Sequence, residues 1–253
     1  PWYHLPKRLI QFLDRFSGRH LQHGIIAVSD DLAGILKTVF PEEKIRIIEN
    51  GINPVNISQS AHKLNADKQD CEPPYKIGIA GRLVPVKRID MFIQTAAEFH
   101  ERYPEVDISF HIFGDGPLRA ELEALAHRLG IDNTVHFEGQ SDSIHQELAE
   151  LDALLITSDH EGLPMIALEA MLLETPVIAH GVGGIPVLLD QGNCGVLVSD
   201  HAPSAYAKAI FDLFASPAIR TELIKNATAR ISQSYSNEKN ADLYCSVYRS
   251  LMR

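Results

Sequence analysis

Lys76-Ile77-Gly78-Ile79-Ala80-Gly81-Arg82-Leu83-Val84-Pro85-Val86-Lys87-Arg88 reads as a buried strand that ends at a glycine, a short loop, and the opening of a helix. A short apolar run without polar alternation is what a parallel strand covered on both faces requires. The following residues, 89–103, carry apolar side chains at three- and four-residue spacing, the signature of a helix lying on that sheet. A strand end that turns into a helix leaves backbone N–H groups free beside it. Here Arg82 and Lys87 add two cations at the same place, so an anion, with phosphate the natural guest, fits the loop. A surface ion pair would account for either cation equally well.

On either side of this stretch, short β-rich runs alternate with helical segments, the pattern of parallel strands joined by crossover helices. Strands are expected at 25–29, 45–49, 76–80, 108–113, 135–138, 153–157, 176–179 and 195–198. Ser29 is placed to cap a helix that runs to about Phe40, where Pro41 stops it, and 118–129 shows a further helical period. The polar, Pro-bearing residues 53–74 read as an irregular excursion. Beyond about Ala202 the pattern is three successive helices, with breaks near Pro217 and Ser236. The expected division is 1–23 as a remnant of a preceding region, 24–235 as one Rossmann-like domain, and 236–253 as a C-terminal helix.

With 253 residues, 45% of them hydrophobic, the chain can bury a large α/β core. A net charge of −10 and a pI near 5.6 exclude a general nucleic-acid binder, which needs a basic surface to displace counterions. Cys71, Cys194 and Cys245 have neither the spacing of a zinc site nor the density of a disulfide scaffold, which favours a reducing cytosol. No apolar run is long enough to cross a bilayer. The opening Pro1-Trp2-Tyr3-His4 has no initiator methionine and no signal-peptide pattern, so a fragment or a processed chain is expected. In the first twenty residues Leu5, Leu9, Phe12, Leu13 and Phe16 share one helical face, and Lys7, Arg8, Arg15 and Arg19 decorate the rest. Two readings stand: a stripe that packs on protein not included here, or a membrane-surface helix.

Two further stretches bear on chemistry. Phe113-Gly114-Asp115-Gly116-Pro117 superficially suggests a dinucleotide fingerprint, but the third glycine is missing at its proper spacing and a turn that needs glycine is the better reading. Thr157-Ser158-Asp159-His160-Glu161-Gly162-Leu163-Pro164-Met165-Ile166-Ala167-Leu168-Glu169-Ala170 is more specific. Glu161 falls in a loop after a strand, Pro164 suits a helix start, and Glu169 lies inside the helix. Two carboxylates with seven residues between them thus reach one ligand from two directions. The free N–H groups around Gly162, Leu163, Met165 and Ile166 would face an anion or sugar hydroxyls. Taken singly, each carboxylate could be an ordinary surface acid.

In order and approximate spacing these motifs, together with Ile26-Ala27-Val28-Ser29, Glu49-Asn50-Gly51-Ile52, Glu138-Gly139, Thr175-Pro176-Val177-Ile178-Ala179 and Gly183-Gly184-Ile185-Pro186, resemble family-four retaining glycosyltransferases. The resemblance runs from about residue 24 to near the end, and its most diagnostic element is the Glu-x7-Glu pattern of Glu161 and Glu169. It implies an α/β fold: a Rossmann-like parallel sheet with helices on both faces, the C-terminal half of a GT-B glycosyltransferase. It also implies that residues 1–23 are what is left of the acceptor domain and its linker, the rest of that N-terminal domain being a missing partner.

The resemblance further implies a nucleoside-diphosphate-sugar donor, UDP- or GDP-linked, and no cofactor or metal. Arg82 and Lys87 would neutralise the diphosphate beside Gly81, Glu161 would meet hydroxyls of the donor sugar, and Glu169 would accept hydrogen bonds from the ribose. The backbone of Gly162, Leu163, Met165 and Ile166 would hold the sugar and distal phosphate; Gly139, Gln140, Ser141 and Ile144 would lie near the base. Arg82, Lys87 and Glu161 are the candidate catalytic groups. The implied reaction is retaining sugar transfer to a carbohydrate or lipid-linked acceptor, in the cytoplasm or peripherally at the inner membrane face, with no nucleic-acid partner.

Cations aimed at a leaving diphosphate stabilise the charge that develops there, which agrees with the residues present. Val187 stands where the family usually has glutamate. The competing readings are a donor-binding module without activity of its own and a GT-B epimerase or phosphorylase. A Rossmann oxidoreductase is disfavoured because its glycine fingerprint and acidic ribose partner are absent at the expected spacing.

Overall fold

The computed structural model describes residues 7–53, 57 and 73–252. Leu5, Cys71, nearly all of the 53–74 excursion and the side chains of Lys7 and Arg8 lie outside the described residues. The strands are β1 (Ile25–Ala27), β2 (Ile45–Ile47), β3 (Tyr75–Ala80), β4 (Ile108–Phe113), β5 (Val135–Gly139), β6 (Ala153–Ile156), β7 (Val177–His180) and β8 (Val196–Val198). The helices are α1 (Lys7–Phe16), α2 (Asp30–Lys37), α3 (Ile89–Arg102), α4 (Arg119–Arg128), α5 (Ile144–Glu150), α6 (Met165–Leu172), α7 (Ile185–Leu188), α8 (Pro203–Ala215), α9 (Pro217–Ser234) and α10 (Asn237–Leu251).

Six strands form a parallel sheet in the order β5-β4-β3-β6-β7-β8. The chain builds outward from β3 to β5, then returns through α5 to place β6 on the other side of β3. That reversal opens a crevice beyond the carboxyl ends of β3 and β6, the usual ligand position in such sheets.

Helices cover both faces. On one, Phe92, Ile93, Ala96 and Phe99 of α3 and Tyr206, Ile210 and Leu213 of α8 pack on Ile77, Ile79, Phe110 and Ile112. On the other, Leu148, Leu168, Met171, Leu188, Ala227 and Ile231 cover Leu154 and Ile156. All four residues of β6 are buried, as a central strand demands. Each large apolar side chain so removed from water stabilises the fold by about 1.5–3 kcal/mol before entropy is counted. Gly78 sits inside β3 because a Cβ there would meet Leu151 Cδ1 at 2.2 Å.

The expected elements lie within a few residues of their places, and the Ser29 hydroxyl caps α2 by accepting from Leu32 N–H at 3.2 Å. β1 and β2 do not join the six-stranded sheet but pair with each other. Their alternation with α2 looks the same in sequence. At three residues each they satisfy only one another, and the main sheet begins at β3. The described residues of 24–235 therefore hold two sheets. In α1, Leu9, Phe12, Leu13 and Phe16 are all exposed. No described helix is long and apolar enough to cross a membrane.

Candidate functional site

The loops that leave β3, β4, β5 and β6 meet at the crevice. The one after β3 runs through a single 3-10 turn, Pro85–Lys87, to Arg88, whose φ of 50° is left-handed, before α3 begins. This strained residue is held from three sides. Its guanidinium pairs with Asp90 and with Asp159, each at 3.0 Å. Thr157 Oγ1 donates to its carbonyl at 2.9 Å and also reaches that of Lys87 at 3.1 Å. The Asp159 N–H donates to Val86 O at 2.9 Å. These contacts sew the β3 loop to the β6 loop and so bring Lys87 to Glu161 across 74 residues of chain.

Lys87 Nζ lies 2.6 Å from Glu161 Oε1, and the Ser158 hydroxyl donates to the same oxygen at 2.7 Å. The Glu161 side chain is 10% exposed and that of Lys87 29%. An ion pair so placed is held by charge-assisted hydrogen bonds and leaves little net charge. Arg82, by contrast, is exposed and forms no ion pair among the described residues. The cation available to an incoming anion without breaking a contact is therefore Arg82.

A cleft of about 580 Å³ opens between these loops. Gly81, Arg82 and Lys87 form one wall, Gln140, Ser141 and Ile144 another, and Met165, Ile166 and Glu169 a third. Glu169 lies inside α6, at 19% exposure, with His145 Nε2 of α5 at 3.6 Å. Burial pushes its carboxyl above the ordinary range and His145 pulls the other way. The first N–H groups of α6, those of Met165 and Ile166, have no intrahelical acceptor and so remain available at the cleft.

Gly139, Glu161, Gly162 and Leu163 do not line the cleft. Gly139, at φ 77°, accepts from Gly114 N–H through its carbonyl at 2.6 Å. Leu163 is buried, and its carbonyl accepts from Asn50 Nδ2 at 3.0 Å. A Cβ on Gly162 would meet Val28 at 3.2 Å. The first part of the Glu161–Glu169 segment thus faces the β1–β2 unit, and the second faces the cleft. Val187 is exposed and lines a separate pocket of about 350 Å³ with Glu49 and Arg230.

Two glycine pairs explain how the loops come so close. A Cβ on Gly114 would stand 2.0 Å from Gly81 O, and one on Gly116 2.5 Å from Leu83 O. On Gly183 it would stand 1.6 Å from Glu161 O, and on Gly184 2.1 Å from Gly162 O. Gly184 N–H donates to Gly162 O at 2.9 Å. Gly114, at φ 129°, occupies the glycine-requiring turn expected there, and the close backbone approach at both glycines is a further constraint. Ser158 and His145 are the partners that sequence reasoning missed; a serine inside the most specific motif was the available signal for the first, and nothing marked the second.

Residues 60–230 match the family of glycosyl transferases group 1. An uncharacterised glycosyltransferase of Methanocaldococcus jannaschii is 30% identical over 240 residues, which cover 90% of this chain and 60% of that protein. The D-inositol 3-phosphate glycosyltransferase of Streptomyces avermitilis is 29% identical over 225 residues, 83% of this chain and 47% of that one. The crystal structure of Anabaena HepE in complex with UDP and glucose superposes with a TM-score of 0.83 at 22% identity, covering 99% of this chain and 69% of that one. The chain spans about half the length of the curated relatives it matches.

Proposed function

The chain belongs to the glycosyl transferases group 1, and from that premise we propose that its cleft binds a nucleoside-diphosphate sugar and that the whole protein transfers the sugar to an acceptor with retention of configuration. The observation that carries this reading is the arrangement of the cleft: Arg82 and Lys87 on one wall and the half-desolvated Glu169 on another, at the switch point of the sheet. In it the diphosphate lies against Arg82, Lys87 and the first N–H groups of α6. Glu169 accepts from the ribose hydroxyls, and the base rests near Gln140, Ser141 and Ile144.

As the bond from the anomeric carbon to the diphosphate breaks, negative charge grows on the leaving oxygen, where the cations stabilise it. The acceptor oxygen bonds to that carbon on the same face, and its proton passes to the departing phosphate. Glu161 holds Lys87 in place from outside the cleft; it is not a covalent nucleophile. The acceptor, a carbohydrate or a lipid-linked saccharide, is held by parts of the protein outside the six-stranded sheet. UDP in the HepE structure makes UDP the first nucleotide to test, with GDP and ADP beside it. Calorimetric titration in excess EDTA is expected to retain binding of one of the three, because cations and N–H groups suffice for the diphosphate. Binding that vanishes on chelation and returns with magnesium or manganese, or no binding to any of the three, overturns the proposal.

A further inference from the structure

His180 closes β7 and His201 precedes α8, and their rings stack with centroids 4.0 Å apart. His180 Nδ1 lies 3.0 Å from Ser158 O, and His201 Nε2 lies 2.8 Å from Thr157 O. A carbonyl only accepts, so each of these nitrogens carries the proton that it donates. The stacked rings thus grip two consecutive carbonyls of the segment that leads to Glu161, and Ser158 itself holds the Glu161 carboxylate through its hydroxyl. Neither histidine lines the cleft.

We infer that His180 and His201 are positioning residues for Glu161, acting through the backbone of Thr157 and Ser158 to keep the Lys87–Glu161 pair assembled. The clamp holds while at least one ring is neutral. The charged and titratable groups around it come from every packed element. Asp159 Oδ1, on the clamped segment, is 3.5 Å from His201 Nδ1 and accommodates one proton. Arg88, on the β3 side, already shares that carboxylate and, with Asp90, completes an ion-pair cluster. Tyr206 of α8 meets His201 edge-on at 5.9 Å, while His160 and Asp200 are chain neighbours of the cluster. A second proton places two cations face to face beside Arg88. Burial, His180 and Arg88 already hold the His201 imidazolium down. Two imidazolium rings stacked at this distance beside Arg88 repel one another, so charging both opens the clamp.

This deepens the donor-site reading and rests on it only for the effect on ligand. Hydrogen–deuterium exchange of residues 157–164, corrected for the intrinsic pH dependence, tests it directly. In the parent chain local opening is expected to rise about tenfold between about pH 7.5 and about pH 5, with β4 unchanged. His201→Gln keeps a donor for Thr157 O and cannot titrate, so it is expected to flatten that rise; His201→Ala is expected to exchange fast at both pH values. A pH response in His201→Gln equal to the parent's, or none in the parent, overturns the clamp. Titration of the same proteins with UDP separates the two readings. If UDP binds while the exchange profile is flat, the clamp fails and the site stands; if the profile is as expected and none of UDP, GDP and ADP binds, the donor site fails and the clamp stands.

Discussion

Glu169 carries a charge that its surroundings resist. Burial raises its carboxyl pKa above the ordinary glutamate range, with His145 pulling the other way, so folding disfavours the ionised form relative to the unfolded chain. The ionised carboxylate costs stability once pH exceeds the folded pKa, and the cost disappears below the unfolded one. Glu169→Gln is therefore expected to melt higher than the parent at pH 7–8, with the gain fading as pH falls towards 4.5. The same change is expected to weaken nucleoside diphosphate binding by about 1.5–3 kcal/mol, measured by titration. A stability gain joined to a binding loss marks a group kept for its ligand. Arg82 and Lys87, assigned one task from sequence, are expected to separate. Lys87→Ala leaves the Glu161 carboxylate buried without its cation and should cost about 2 kcal/mol of folding stability, while Arg82→Ala should leave the melting temperature unchanged. Both should weaken diphosphate binding. At this scale the sequence displayed the four charged residues but not the Lys87–Glu161 pair, because that contact depends on how two loops dock and no local pattern records it.

Elements were legible where period and punctuation agree. The strand from Tyr75 to Ala80 and the helix from Ile89 to Arg102 both declare themselves through apolar spacing, and Pro217 and Ser236 mark the breaks between the last three helices. The left-handed Arg88 was not legible, since it is fixed by Asp90, Asp159 and Thr157 from outside its own loop. Glycines illustrate the same division. Gly183→Ala would force a side chain into φ 58° and onto the Glu161 carbonyl, so it is expected to destabilise the fold by about 2 kcal/mol or more and to abolish nucleotide binding. Gly34→Ala, inside α2 with nothing within 4 Å, is expected to stabilise by about 0.5–1 kcal/mol. Thermal melts of the two variants check both signs.

At the scale of the whole molecule the sequence announced an alternating α/β chain but not its division into two sheets. Pairing partners are set by packing that periodicity does not encode, and β1 with β2 alternates like any other βαβ unit. The two parts are joined by more than the chain that leads from Ile52 towards β3. Ile52 bridges Ser236 in parallel, Ile52 N–H donates to Tyr235 O at 2.8 Å, and Asn240 Nδ2 donates to Glu49 O. At its far end α10 brings Leu251 to the backbone beside Gly24, where a Cβ would find it at 3.3 Å. The last helix therefore belongs by contact to the first strands and by sequence to the last ones. Removal of residues 237–253 should therefore loosen β1 and β2 while leaving the six-stranded sheet intact, seen as faster hydrogen–deuterium exchange confined to residues 24–52. The physical seam of the molecule is thus stitched by a helix that the sequence places almost two hundred residues away from the strands it secures.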